Sequence, residues 1–225
     1  MDTLQQISQA LALSLGAAWA SGINLYATLL TLGILGSSGD IVLPPGLEVL
    51  TNPLVLGAAG LMYTVEFFAD KTPGVDTGWD VIHTFIRIPA GAVLAAGAIG
   101  QLSPSAELAA AIVGGSLAAT THATKAGTRV LINTSPEPFS NWAASITEDI
   151  TVIAGVWAAL HHPLWFLGAL AVFIVVMIWL LPRLWSAIKK LFALLRRWFG
   201  GGGSAPPLPG QPPPSLEPPQ RQPPP

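Results

Sequence analysis

Ionisable side chains are concentrated in two stretches of this chain, and apolar segments surround both. Residues 65–92 read VEFFADKTPGVDTGWDVIHTFIRIPAGA, and residues 122–150 read HATKAGTRVLINTSPEPFSNWAASITEDI. Charged groups inside a membrane are tolerated when they pair or line a cavity, so an ion or solute pathway is the default hypothesis for them. The candidates for this pathway are Glu66, Asp70, Arg87, Lys125, Arg129, Glu148 and Asp149.

Helical spacing places several of these groups on shared faces. Glu66 and Asp70 are four residues apart, and Asp80, His83 and Arg87 follow a spacing of three and seven, which makes a polar stripe. Polar residues that would support the pathway are Asn24, Asp76, Asp80, His83, His122 and Asn141.

Other chemistries remain open for the same residues. Carboxylates are the ligands that Mg²⁺ or Ca²⁺ prefers, so a divalent cation is possible, although no stretch matches the twelve-residue calcium loop. An enzyme acting on lipid headgroups could use His83 or His122 as acid or base, but no hydrolase, metalloprotease or P-loop motif is present. The charges could also be purely structural, in a non-catalytic membrane scaffold. The candidate metal ligands are Glu66, Asp70, Asp76 and Asp80.

The composition predicts that these residues sit in a helical membrane protein. The chain of 225 residues is 51% hydrophobic and 10% charged, against about 25% charged for a typical soluble domain. A helix needs about 20 apolar residues to cross a bilayer. We expect an all-α fold with about six transmembrane helices, at 7–35, 53–69, 81–100, 106–131, 142–160 and 164–181. The absence of cysteine excludes disulfides and thiolate chemistry.

Basic residues predict the orientation. Arg183, Lys189, Lys190, Arg196 and Arg197 follow the sixth segment, and such clusters stay in the cytoplasm. Six crossings would then place the N-terminus in the cytoplasm too.

Three regions are expected along the chain. Residues 1–182 form the transmembrane domain, and residues 183–199 have the pattern of a basic amphipathic helix on anionic inner-leaflet lipids. The alternative for this helix is a simple extension of the sixth span. Residues 200–225, rich in Gly and Pro, are expected to be disordered. Beyond the lipid bilayer, a homo-oligomer is possible, and no nucleic-acid partner is expected.

An offset of 63 residues aligns KTPGVDTGW with TSPEPFSNW and predicts a duplicated helical hairpin, formed by segments two and three and by segments four and five. The alignment sets Glu66 against Arg129 and brings Arg87 near Asp149, so the charges are reversed between the copies. Pairing of acid with base across the two copies would account for this reversal.

Three stretches resemble a known family. ASGINLYATLLTLGILG, EFFADKTPGVDTGWDVIHTFIRIPAGA and THATKAGTRVLINTSPEPFSNWAASITEDI are similar to the bacterial integral membrane proteins grouped as domain of unknown function 4126. The resemblance covers 7–181 and implies a multi-span protein of the bacterial inner membrane. It implies no activity, substrate or site residue. From the charged residues themselves we expect a transporter or channel for a small polar or ionic solute.

Overall fold

The fold is described by a computed structural model that covers residues 3–99, 102–134 and 138–199. This part of the chain is helical, and four of its helices are long and apolar enough to cross a membrane. The predicted tail, 200–225, lies outside the described residues. The α-helices are α1 (Thr3–Ser38), α2 (Pro53–Ala69), α3 (Val75–Ile99), α4 (Pro104–Ile132), α5 (Pro138–His161) and α6 (Pro163–Phe199), and a short 3₁₀ helix spans Glu48–Thr51.

Local capping explains where two of these helices begin. The Asn52 side chain accepts a hydrogen bond from the Leu54 N–H, and Pro53 occupies the first turn of α2. Ser103 caps α4 in the same way through the Ala106 N–H. A polar cap followed by proline satisfies free N–H groups and fixes a helical φ at the first position. The observed bounds of α2 equal the predicted ones.

Helix α1 is broken at Asn24. This residue has an extended conformation, with φ −144° and ψ 101°, between two helical segments, which we call the first arm (3–23) and the second arm (25–38). The Asn24 Oδ1 accepts a hydrogen bond from the Ala27 N–H at 3.0 Å. The Thr28 hydroxyl donates to the Asn24 carbonyl at 2.8 Å. Asn24 is therefore the N-cap of the second arm.

The two arms of α1 run in opposite directions. Ala10 and Leu13 of the first arm line one cavity together with Val42 and Pro44, which follow the second arm. A straight helix would separate the start of the first arm from the end of the second by about 50 Å. Helix α1 therefore enters the bundle from one end and returns to that same end. The prediction of a single crossing over 7–35 differs, because the apolar pattern continues through the break.

The fold-back changes where the chain ends lie. Leu4 and Gln5 line a cavity with His162, in the connection between α5 and α6. At the other end of α6, Leu184 packs against Gly127, close to the end of α4. The start of α1 and Leu184 of α6 therefore lie at opposite ends of the bundle. The prediction of an N-terminus on the same side of the membrane as Arg183 differs from this geometry.

Small residues let α1 pack closely against α3 and α4. A side chain at Gly22 would collide with Thr121, and one at Gly91 would collide with Ala118 and Ser21. Close backbone approach at Gly and Ala is the usual packing mode of membrane helices. Helices α3 and α4 form the most extensive helix pair, whereas α2 with α3 and α4 with α5 share little surface. Within each predicted hairpin, the two helices are therefore spread apart. Helix α1 packs against all four helices of the two hairpins.

Helix α6 runs from Pro163 to Phe199 without interruption, and Pro182 lies inside it. Its predicted end at 181 is therefore not a helix end. The chain forms one compact unit up to Lys189 and a second unit from Lys190 onward, of which the end of α6 is the described part.

Cysteine labelling tests the folded-back α1. Gln5→Cys and Asp40→Cys are expected to react with a membrane-impermeant maleimide from the same side of the membrane. Thr72→Cys, in the turn between α2 and α3, is expected to react from the opposite side. All three residues are exposed.

The cysteine-free parent chain is the matched control and should show no labelling. Labelling of positions 5 and 40 from opposite sides would mean that α1 crosses the membrane once, against the structure.

Candidate functional site

Lys125 on α4 is the centre of a buried ion-pair network. Its Nζ lies 2.7 Å from an Asp70 oxygen, 3.4 Å from a Glu66 oxygen, 3.3 Å from a Glu148 oxygen and 3.9 Å from an Asp80 oxygen. These carboxylates belong to α2, the turn after it, α3 and α5. One ammonium group therefore connects four helices.

Arg87 on α3 forms the second centre of charge. Its Nη2 donates to Glu66 Oε1, and its Nη1 lies 3.2 Å from Asp80 Oδ1. The same Nη1 lies 3.2 Å from His122 Nδ1. His122 Nε2 lies 3.1 Å from the Asp80 carbonyl and 2.8 Å from Thr84 Oγ1. A neutral His122 with its proton on Nε2 satisfies all these contacts, since Nδ1 then accepts from Arg87.

Arg129, near the end of α4, forms the third centre. Its Nε and Nη2 donate to both oxygens of Glu148, at 3.3 and 2.7 Å. Its Nη1 donates to the carbonyls of Asp70 at 3.0 Å and of Asn141 at 3.1 Å. This two-pronged pairing is the strong, oriented form of a charge-assisted hydrogen bond.

The predicted acid–base pairing is present, with a different arrangement. Glu66 pairs with Arg87 inside one predicted hairpin, and Arg129 pairs with Glu148 inside the other. Lys125 and Arg129 then join the two hairpins, through Glu66 and Asp70. The two pairs occupy nearly the positions that the 63-residue offset aligns, with signs reversed. Duplication itself stays a prediction.

Asp149 lies outside this network and is held by neutral donors. The Asn24 amide donates to Asp149 Oδ1 at 2.9 Å, and the Tyr63 hydroxyl donates to Oδ2 at 3.1 Å. The side chain that caps the second arm of α1 therefore also connects that break to α5. A second link from α1 joins the Tyr26 hydroxyl and His83 Nε2, which lie 3.2 Å apart.

Asp76 is also separate from the network. It accepts from the N–H groups of Gly74 and Thr77 and from the Asn133 amide, which holds the turn before α3 against the end of α4. Asn141 donates to the same Asn133. These contacts give both predicted supporting residues a structural role at one end of the bundle.

The predicted metal site is not supported by the geometry. In the parts of the chain that the structure covers, no group of three or more His, Asp or Glu side chains is arranged to hold a metal ion. The physical reason is that cations of the protein already occupy the space between the carboxylates. Lys125 and Arg87 contact Glu66 and Asp80, and Lys125 contacts Asp70.

Sequence reasoning missed three residues of the site. Tyr26 and Tyr63 are the only tyrosines of the chain, and both hydrogen-bond to predicted site residues. Lys71, directly after α2, is buried and donates to Ser145 on α5 at 3.1 Å. A signal for Tyr63 existed, because it precedes Glu66 by three residues and shares its helical face.

Asp70 is ionised in this setting. It lies in the turn beyond α2, where burial by itself would raise the pKa of its carboxyl. Lys125 and Arg129 outweigh that effect and lower the pKa of Asp70 below its ordinary value.

A small cavity of about 190 Å³ reaches the network from the side of the bundle. Lys125 and Glu148 form its charged wall, and Phe173 of α6 and Ile23 of α1 form apolar walls. Glu148 is the most exposed member of the network, with 18% of its side chain accessible. The other lining residues are five threonines, and the surface that they present is mostly apolar: Thr121, Thr124, Thr128, Thr147 and Thr151.

Removing one buried cation is expected to destabilise the bundle strongly. Arg87→Met leaves Glu66 and Asp80 buried with Lys125 as their remaining cation. We expect a loss of about 3–5 kcal/mol in the free energy of unfolding, because breaking a buried pair leaves an uncompensated charge. Unfolding in detergent measures this loss.

Arg183→Met is the matched control. The Arg183 guanidinium lies on the exposed Trp179 ring, 3.8 Å from its centroid, so its removal should cost about 1 kcal/mol or less. Equal losses in the two variants would show that the Arg87 pairs do not hold the fold.

Comparison with known proteins identifies the family. No curated protein and no solved structure matches the chain. A protein-family model described as "Domain of unknown function (DUF4126)" matches residues 11–183, which is most of the chain and contains every residue of the ion-pair network. The chain is thus a helical protein of the DUF4126 family, with helices that can cross a membrane.

Proposed function

We propose that this protein is a transporter or channel for a small polar or ionic solute in the inner membrane of a bacterium. The basic end of α6 is assigned to the cytoplasm by its Arg and Lys residues. The connections α2–α3 and α4–α5 then also face the cytoplasm. The start of α1 and its return point face the opposite side.

The break in α1 is the observation that carries this proposal. Non-helical backbone inside a membrane persists only where protein or a water-filled cavity satisfies it. Transporters use such half-helix ends to contact substrates and coupling ions near the middle of the bilayer. Here the break at Asn24 contacts Asp149 directly. Asp149 is adjacent in the chain to Glu148, a member of the ion-pair network.

The threonine-lined cavity supports the same proposal by providing access. The hydroxyl groups of Thr121, Thr124 and Thr147 donate to backbone carbonyls, and their oxygens keep lone pairs that can accept from a small polar solute. Lys125 and Glu148 at its wall are partners of each other at 3.3 Å. A solute that separated this pair would loosen the contact between α4 and α5. The cavity therefore couples solute binding to the helix contacts that close the site.

A non-catalytic scaffold is the second candidate function. It is favoured by the extent of pairing, since Arg87, Lys125 and Arg129 each contact at least two carboxylates and are buried. A network that is sealed and static would hold the bundle together without conducting a solute.

The basic part of α6 suggests a lipid partner for either function. Arg183 lies on the Trp179 ring, and Lys189 Nζ lies 5.4 Å from the Trp185 ring centroid. Cations next to exposed tryptophans suit the headgroup region of an anionic leaflet. We propose that residues 183–199 bind anionic lipids of the inner leaflet.

Flux through proteoliposomes tests the transport function. Osmotic swelling with glycerol and urea, and dye-detected movement of Na⁺ and K⁺, are the probes. We expect flux of at least one probe, and at least a tenfold loss in Thr147→Trp, because an indole at this exposed position would close the mouth of the cavity.

Ser116→Trp is the control, since Ser116 is exposed on α4 and is not among the residues that line this cavity. Two results together would support the scaffold function. The folded protein would conduct no probe, and Arg129→Glu and Glu148→Arg would each prevent folding while the double variant folds. Equal flux in both Trp variants would remove the cavity from the pathway.

A further inference from the structure

The charges of the Lys125 network do not balance. Four carboxylates, from Glu66, Asp70, Asp80 and Glu148, surround three cations. Asp149 and Lys71 are both outside this count and their charges cancel. Neutral donors hold both oxygens of Asp149, and Lys71 Nζ donates to the neutral Phe67 carbonyl and Ser145 hydroxyl. An uncompensated buried charge is strongly unfavourable, and a group in that position normally neutralises itself by taking up a proton. One extra proton would bring the network to zero.

The oxygens of the carboxylates show where such a proton could reside. Within the described residues, Glu66 Oε2, Asp70 Oδ1 and Asp80 Oδ2 are buried and have no hydrogen-bond partner. Glu148 is different, since Arg129 contacts both of its oxygens. Asp70 is ionised because Lys125 and Arg129 both contact it, so the proton belongs to Glu66 or Asp80.

Asp80 has the weakest compensation of these three carboxyl groups. Glu66 receives the close Arg87 contact, and Asp70 receives Lys125 at 2.7 Å. Asp80 lies 3.9 Å from Lys125 and 3.2 Å from an Arg87 nitrogen that also contacts His122. Asp80 thus has one close donor, Arg87 Nη1, whose second N–H contacts His122, and only 1% of its side chain is exposed.

We propose that Asp80 binds one exchangeable proton, and that this proton is the coupling ion of transport. The binding of the proton follows from the network alone, and its role in coupling rests on the transport function proposed above. Asp80 takes the proton from water and returns it to water, while Arg87, Lys125 and Arg129 stay charged. Release restores a carboxylate that competes for Arg87 and Lys125, the groups that close the network around Glu66.

Groups on several helices surround Asp80 and set its proton affinity. Cations favour release of the proton, and carboxylates favour its retention. The charged and titratable neighbours are Glu66 and Asp70 from α2 and its turn, His83 and Arg87 from α3, His122, Lys125 and Arg129 from α4, and Glu148 from α5, with Tyr26 of α1 next to His83.

Infrared difference spectroscopy of the full chain in lipid vesicles tests proton binding without any solute. Exposed carboxyl groups, with pKa values near about 4, are ionised at neutral pH. We expect one C=O stretching band of a protonated carboxyl group at pH 7, which shifts in D₂O and disappears as the pH is raised. The band should also shift in protein labelled with ¹³C at the side-chain carboxyl of aspartate.

Variants assign the band to a residue. Asp80→Asn should remove the band, and Asp149→Asn, which retains acceptors and donors for Asn24 and Tyr63, should keep it. If Asp80→Asn does not fold, Asp80→Glu serves instead, and its band should no longer respond to aspartate labelling.

Absence of the band at pH 7 would overturn the proposal, since all four carboxylates would then be ionised. A band insensitive to aspartate labelling, or lost in Asp149→Asn, would overturn the assignment to Asp80. Flux of the same probes, glycerol, urea, Na⁺ and K⁺, is measured separately in these vesicles under a proton gradient. A band without flux would contradict the transport function alone, and flux without a band would contradict proton binding alone.

Discussion

Lys125 Nζ lies within 4 Å of carboxylates from α2, the turn after it, α3 and α5, and the packing of the bundle depends on this contact. A buried ammonium group is costly unless carboxylates surround it, and each carboxylate is costly unless a cation reaches it. The helices that carry these groups cannot separate without exposing charge to an apolar medium. Helices α2 and α3 share little surface, as do α4 and α5. Electrostatic contacts at one level of the bundle therefore compensate for sparse packing between neighbours in the chain.

The break in α1 places polar groups at the centre of the fold, next to the ion-pair network. Two thirds of its most apolar stretch is buried, against 17% for α6, so α1 is a core element and α6 a peripheral one. The break puts the Asn24 side chain between a helix N-terminus and Asp149. One amide thus satisfies a backbone group and an acidic side chain. Local helix capping and long-range polar contact coincide at this residue, in the part of the bundle proposed to meet a solute.

Much of the fold follows from the sequence because its signals are local. Six apolar stretches match six helices, and α2 agrees at both ends since Asn52 and Pro53 mark its start. Helix α3 begins six residues before its predicted start, because Asp76 holds the preceding turn through hydrogen bonds that an apolar-run criterion ignores. The sequence does not predict the fold-back of α1. The apolar pattern of residues 7–35 continues through the break, and the direction of the fold-back depends on packing against α3, α4 and α5.

The sequence identifies which charged residues belong to the candidate site, but it does not predict which of them pair with each other. The charged residues were identifiable since charges are rare in this chain, at 10% of residues. Which acid meets which base depends on how α3 and α4 pack, and sequence spacing within one helix carries no information about that. Lys71 shows the same point. Its position after α2 suggests a solvated loop, whereas the approach of α5 buries it against Ser145.

The folded-back α1 also constrains how the protein is made. Its first arm needs the α3 carbonyl of Ala95 for Ser14, and its break needs Asp149, which follows it by 125 residues. These partners are synthesised after α1 has left the ribosome. Helix α1 therefore reaches the membrane before the helices that hold it, and it is among the last to reach its final position. Until α5 has been inserted, an apolar segment with an exposed break must wait at the translocation machinery or at the lipid surface. The order in which the helices are inserted therefore matters for this protein, and α1 is the segment that needs protection until α5 is in place.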